Sequence, residues 1–337
     1  MILVTGATGL VGGHLLWHLL QENDKIVAIK RKNSKLLPLR AIFKFYSDSP
    51  DKFLERIEWR YADIIDFDSL MEASKGVNKI YHCAAVVSLS GKGNHLMDTN
   101  VQGTENIIRI ALYRKIEKLC FVSSIAACGF TDNDSTIITE DSEWQTKGHQ
   151  SDYALSKFNA EQIVWKAIKE NGLNAVIVNP GVILGFSGTN SSSSLLFKQV
   201  RKGLPFYTLG GSGYVDVRDV VRIMIKLMES SISAERFILV SENNSNKEII
   251  SMMSKGFNKP QPIINMGKKR LYFVGFFAEI AGKVFGFSPV LDRKFASSAT
   301  NRSYYSSQKI IDALNYKFIP ISQCIDDVCN YMLKCKP

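Results

Sequence analysis

The 337-residue sequence is poor in cysteine, histidine and proline, with six, five and nine of each. Each shortage excludes something. The cysteines (Cys83, Cys120, Cys128, Cys324, Cys329 and Cys335) form no CxxC pair and carry no histidine spacing of the zinc type, so no metal site is expected. Reduced, mostly buried thiols suit the cytoplasm. The one long apolar run, LYFVGFFAEIAGKVFGF at 271–287, is short for a bilayer span and contains Glu279 and Lys283, so no transmembrane segment is expected. The opening MILVTG runs straight into an apolar strand pattern, and no signal peptide is expected. Carboxylates are also in deficit, with 32 Asp and Glu against 42 Lys and Arg and a net charge of +10. Such a surplus favours an anionic partner: a phosphorylated cofactor, a nucleotide- or CoA-linked substrate, an acidic membrane surface or nucleic acid. The basic residues are scattered and no nucleic-acid-binding motif accompanies them, so no nucleic acid is expected.

What is present is an ordered alternation. Short apolar runs, ILVT (2–5), KIVAI (25–29), IEWRYA (57–62), KIYHCA (79–84), KLCFVS (118–123) and NAVIVN (174–179), are separated by helix-length segments. Several are apolar on both faces, as strands of a covered parallel sheet must be. The order predicts an α/β fold with a doubly wound parallel sheet. In the first helix Val11, Leu15 and Leu19, with Leu16 and Leu20 beside them, form the stripe expected to be buried. Beyond about Val182 the alternation gives way to Gly- and Ser-rich loops, helical patterns and one more clear strand, RFILVSE. The expected division is a main unit over 1–182, joined by a further strand and helix from about 214–245, and a smaller, mainly substrate-binding portion over 183–337.

The first strand runs into GATGLVG, placing Gly6, Gly9 and Gly12 at a loop-to-helix junction with Thr8, Leu10 and Val11 between them. In a dinucleotide-binding turn the first glycine makes the tight bend, the second admits a pyrophosphate and the third lets helix and strand pack. The helix N-terminus offers N–H groups and positive dipole to the anion. A turn serving packing alone is the bland alternative. NAD sites usually carry an acidic residue at the end of the second strand. Here that strand ends AIKRKNSK, with Arg31, Lys32 and Lys35 behind Lys30 and no carboxylate, which favours NADP over NAD unless the run is merely a solvated loop. Asp63 and Ile64, just after the third strand, stand where an adenine amino group would be received.

Residues 151–157 read SDYALSK, placing Tyr153 and Lys157 on one helix face although both normally keep their protons at neutral pH. Alone, they read more readily as a packed aromatic and a snorkelling cation. Together, however, TGATGLVG, HCAA (82–85), NVQGT (100–104), FVSSIAACG (121–129), YALSK (153–157) and NPGVILG (179–185) resemble, in order and over nearly the whole chain, the extended short-chain dehydrogenase/reductase family. SSIAACG and VDVRDVV (215–221) are most similar to its dihydroflavonol-reductase-like and sugar-epimerase-like branch. The resemblance implies a Rossmann sheet and a Ser, Tyr, Lys triad. Counted back from Gly129, the serine is Ser124 and not Ser123. It further implies that Ala84, Ala85, Pro180, Gly181 and Val182 line the cofactor together with Tyr153 and Lys157. Asn100 would steady the active-site backbone or a water, and two helices flanking the site would pair in a homodimer.

Carbonyl reduction needs a proton on oxygen as well as hydride on carbon. The expectation is that the Lys157 ammonium lowers the Tyr153 phenol while Ser124 holds the substrate oxygen. The leading expectation is an NADP-preferring oxidoreductase interconverting a carbonyl and a secondary alcohol. A nucleotide-sugar epimerase of the same fold and a catalytically silent cofactor sensor or scaffold stay open beside it. His14 and His18, four apart without a third ligand, are expected to pack, and His82 to be structural. The 271–287 run behind GKKR (267–270) reads as a helix buried in the C-terminal portion, with a membrane-surface patch or a lid over a lipid-like substrate as the alternative.

Overall fold

A computed structural model describes residues 1–87, 94–129, 136–144, 151–188, 192–267, 270–271 and 300–335. The first five runs form strands β1 (Ile2–Thr5), β2 (Ile26–Lys30), β3 (Ile57–Tyr61), β4 (Lys79–His82) and β5 (Lys118–Val122). With Ala175–Pro180 and Glu235–Leu239 they make one seven-stranded sheet, whose order from one edge is Glu235–Leu239, Ala175–Pro180, β5, β4, β1, β2, β3. Every neighbouring pair is parallel. Strand order reverses between β1 and β4, which opens a crevice at their carboxyl ends.

Alternate residues of each strand serve opposite cores. Val4, Ala28, Tyr81 and Val176 face helix α1 (Leu10–Glu22) and helix Val217–Glu229. Leu3, Val27, Ile80 and Ile177 face helices Gly103–Tyr113 and Asp152–Asn171. Period-2 alternation between two apolar layers makes a strand apolar throughout. Leu15, Leu16, Leu19 and Leu20 are buried as the pattern predicts, while Val11 is only partly covered at the helix start. His14 is buried too. Its Nε2 donates to the Phe186 carbonyl at 2.8 Å, and its Nδ1 meets the Tyr46 hydroxyl.

A three-stranded sheet, Glu242–Ser245, Gly211–Asp216 and Val182–Leu184, leads into the C-terminal portion. There Leu184, Phe197, Tyr214, Ile249, Ile325 and Val328 form a further core among helices Ser192–Arg201, Asn246–Gly256 and Ile321–Lys334. Apart from Leu271, the 271–287 run lies outside the described residues, as do Lys268 and Lys269 of GKKR. Among the described residues no helix is long and apolar enough to cross a membrane, and no cluster of three His, Cys, Asp or Glu could hold a metal. All six cysteines are free thiols, four of them buried.

Candidate active site

The glycine turn sits at the carboxyl end of β1, in the crevice. Gly6 has φ +66°, and a Cβ there would lie 2.7 Å from the Ala84 nitrogen and from the Cys83 carbonyl carbon. A Cβ on Gly12 would lie 2.3 Å from the Gly6 oxygen. The turn closes through Gly9 N–H donating to the Gly6 carbonyl at 2.9 Å, and Gly9 then caps α1 with no side chain over the helix end. Gly9 is exposed, and Thr8, Leu10 and Val11 are partly so. The first-turn N–H groups, which have no intrahelical partner, therefore face open space. This cradle, filled by any side chain at Gly6 or Gly12, fits a pyrophosphate.

Arg31, Lys32 and Lys35 are exposed beyond β2, whereas Lys30 lies over the rings of Trp59 and Tyr61 at 5.1 and 5.4 Å. Asp63 is partly buried and accepts from Ile65 N–H at 3.3 Å. Ile64 is buried against Gly103, where a Cβ would come within 2.6 Å of its side chain. On the far side of the crevice Gly181 N–H donates to the Leu239 carbonyl at 3.0 Å. Pro180 beside it is buried, while Val182 is exposed and Ala84 and Ala85 are partly so.

The long helix Asp152–Asn171 is capped by the Ser151 hydroxyl, which accepts from Ala154 N–H at 3.1 Å. One turn on, Lys157 is buried and its Nζ donates to the Val122 carbonyl at 2.9 Å, close over the Phe121 ring. Its charge is felt at His82 and at Cys83, and Cys83 with Ala84 is what the Gly6 turn packs against. The Ser124 hydroxyl stands close enough to Tyr153 to lower its phenol. The neighbouring Ser123 is not an equivalent candidate, since its hydroxyl is buried and donates to Glu161 at 2.6 Å. One expectation is corrected. Burial raises the Tyr153 phenol, and the lowering influence on it is the Ser124 hydrogen bond rather than Lys157, whose ammonium is turned to Val122. Burial in turn brings Lys157 down to about 8.

Asn100 is buried within a π-helical turn, Asp98–Gln102. Its Oδ1 accepts from Val86 N–H at 2.8 Å, and its Nδ2 donates to the Val86 carbonyl and the Ser156 hydroxyl, each at 3.0 Å. Ser156 donates to the Tyr153 carbonyl at 2.8 Å, so Asn100 links the backbone after β4 to the Tyr153 helix. A directed chain lies behind it. Thr5 Oγ1 accepts from Cys83 and Ala84 N–H, both at 3.1 Å, which leaves its own proton for His82 Nδ1 at 2.8 Å. His82 then carries its proton on Nε2 and donates to Thr104 at 3.1 Å, and Thr104 donates to the Asn100 carbonyl at 2.7 Å. Burial and the nearby Lys157 push His82 down to about 3, so it is neutral.

Sequence reasoning quoted Thr5, Thr104, Ser156, Asn179 and Arg236 within motifs or strands without giving them a role, and gave none to Glu161. The spacing of Tyr153, Lys157 and Glu161, four residues each time, was the available signal for Glu161.

The sequence pattern of the NAD dependent epimerase/dehydratase family matches residues 2–239. The chain is 25% identical over 319 residues to sterol demethylase protein B of Methylococcus capsulatus, covering 92% of this chain and 88% of that one. It is 26% identical over 270 residues to cinnamoyl-CoA reductase 1 of Petunia hybrida, covering 76% and 77%. In three dimensions it is similar to the UDP-glucose 4-epimerase of Thermus thermophilus, solved in complex with NAD, with a TM-score of 0.76, 17% identity and coverage of 98% of both chains. At that identity the likeness is one of fold.

Proposed function

The chain belongs to the NAD dependent epimerase/dehydratase family, and from that premise we propose that it interconverts a carbonyl and a secondary alcohol, prefers NADP, and uses Tyr153 to move the proton. The observation that carries this reading is the approach of the Ser124 hydroxyl to Tyr153, one helical turn from a buried lysine whose charge reaches Cys83, against which the Gly6 turn packs. The dinucleotide, when bound, supplies or accepts the hydride. Gly9, Leu10 and Val11 would hold its pyrophosphate on backbone N–H groups. Lys157, within reach of the same crevice, would hold the adjoining ribose.

The proton belongs to the chain. Tyr153, kept protonated by burial, is suited to donate to a carbonyl oxygen as that oxygen gains charge. Ser124 can hold the same oxygen and then stabilise the phenolate left behind. NADP preference is supported by three exposed cations after β2 and by the lack of a carboxylate there.

Binding of NADPH and NADH, measured side by side and followed by a screen of aldehydes, ketones and nucleotide sugars, tests the reading. The expected result is tighter NADPH binding and net NADPH oxidation with a carbonyl compound, abolished by Tyr153→Phe with NADPH affinity kept. Epimer formation without net cofactor turnover would overturn the reductase assignment, and tighter NADH binding would overturn the preference.

A further inference from the structure

Below Tyr153 and Lys157, at the next turn of the same helix face, stands a carboxylate that the proton chemistry does not use. Glu161 has a side chain 1% exposed, and four groups from four parts of the fold converge on it. Ser123 donates to Oε2 at 2.6 Å and Asn179 Nδ2 to the same oxygen at 2.8 Å. Arg236 donates to Oε1 at 3.1 Å, and Trp165 Nε1 to Oε1 at 3.3 Å. Asn179 Nδ2 also donates to the Ser124 carbonyl at 3.0 Å, so the carboxylate grips the Ser123–Ser124 turn twice, once through a hydroxyl and once through an amide. Arg236 is itself fixed, since its guanidinium donates to the Glu140 carbonyl while the Glu140 carboxylate accepts from Ile238 N–H at 2.7 Å.

We propose that Glu161, anchored by Arg236, is a positioning residue of this active site: it fixes the serine turn that presents Ser124 to Tyr153, and its negative charge supports the ammonium of Lys157. The proposal rests on the functional reading above and adds a residue that touches neither cofactor nor substrate. A buried carboxylate needs its donors and its cation together. Here they are drawn from β5's carboxyl end, from the strand Ala175–Pro180, from the edge strand Glu235–Leu239 and from Trp165 of the same helix, so the cluster ties the serine turn to two further strands and to the Tyr153 helix.

The charged and titratable groups around this pair are few. Lys157 is faced by Glu161 from its own helix, by His82 at the end of β4 and by Cys83 just beyond it. Glu161 is faced by Arg236 from the edge strand and Cys128 from the turn after β5, with Glu140 behind Arg236. His82 is neutral and burial holds both thiols protonated, so Glu161 is the anion that opposes the desolvation of Lys157. Without it the lysine loses its proton at lower pH.

The test is NADPH affinity as a function of pH for the whole chain and for Glu161→Gln. In the wild-type chain binding should weaken through a midpoint set by Lys157, which lies at about 8 before cofactor binds. In Glu161→Gln that midpoint should fall by about one unit, so that binding is about fivefold to tenfold weaker at and above the wild-type midpoint and unchanged two units below it. A merely structural role would weaken binding equally at every pH. Should the single variant fail to fold because Arg236 is left unpaired, the double variant Glu161→Gln/Arg236→Gln reads the same midpoint, and a smaller fall in the same direction is expected because a cation leaves with the anion. An unmoved midpoint in a folded variant overturns the proposal while leaving the functional reading intact. A wild-type chain that binds neither NADPH nor NADH overturns both.

Discussion

A partly buried phenol is a reluctant acid, and what relieves Tyr153 is a serine hydroxyl. The two adjacent serines differ only in where their side chains point, and that difference has measurable consequences. Ser124→Ala removes the partner of the tyrosine and of the developing oxyanion. It should lower kcat by roughly 10²–10³ with KM for NADPH little changed. Ser123→Ala takes a donor from the buried Glu161 and should instead cost about 1–3 kcal/mol of unfolding free energy, read from denaturant midpoints. Were Ser123→Ala the variant that lost turnover at full stability, the serine assignment would be reversed. The cations after β2 make a residue-scale prediction of their own. The double substitution Arg31→Ala/Lys32→Ala should weaken NADPH by about tenfold or more and leave NADH within twofold, since only the 2′-phosphate distinguishes the two.

At the scale of elements, the β1 turn and α1 act as one device. Gly12→Ala would set a methyl carbon 2.3 Å from the Gly6 oxygen, a backbone atom that has nowhere to go. Dinucleotide binding should be lost along with about 2 kcal/mol of stability. The control is Gly172→Ala, where φ is +65° and no atom lies within 4 Å. It should cost about 1 kcal/mol of backbone strain and leave binding untouched. Calorimetric titration of both variants with NADPH checks the contrast. The turn was legible in the sequence because its chemistry is local, with three glycines within seven residues after an apolar run. The strands were legible because two-sided burial leaves an unbroken apolar signature. The Thr5, His82 and Thr104 chain was not, since its members sit 77 and 22 residues apart. Neither was the Glu161 cluster, whose Ser123 and Arg236 contacts span 38 and 75 residues. Polar partners brought together by strand order leave no periodicity to read. The same limit explains the Lys157 correction, for spacing places it one turn from Tyr153 but does not say that its ammonium meets Val122.

For the whole molecule, three histidines held neutral, two of them against Tyr46 and one beside Thr5, add into one property. Burial lowers His14 and His18 from 6.5 to about 4, and His82 to about 3. The unfolded chain would protonate each near 6.5. Between those values the unfolded state therefore binds more protons, so this contribution to stability is full above about pH 6.5 and is lost as pH falls through the folded values. Asp219 runs the other way. Burial raises it to about 6 although it accepts from Ile319 N–H and the Tyr316 hydroxyl at 2.8 Å, so the folded state takes up its proton first and gains stability as pH falls below 6. Three histidines against one carboxylate leave the unfolded chain ahead by about two protons near pH 5, a slope of roughly 3 kcal/mol per pH unit. Denaturant midpoints should thus drop steeply between about pH 6.5 and 4.5, ahead of ordinary carboxylate titration. His14→Gln, able to donate to Phe186 in the same place, should flatten the curve by about one proton. A midpoint that stayed level over this interval would show that these histidines are not held neutral in the folded chain.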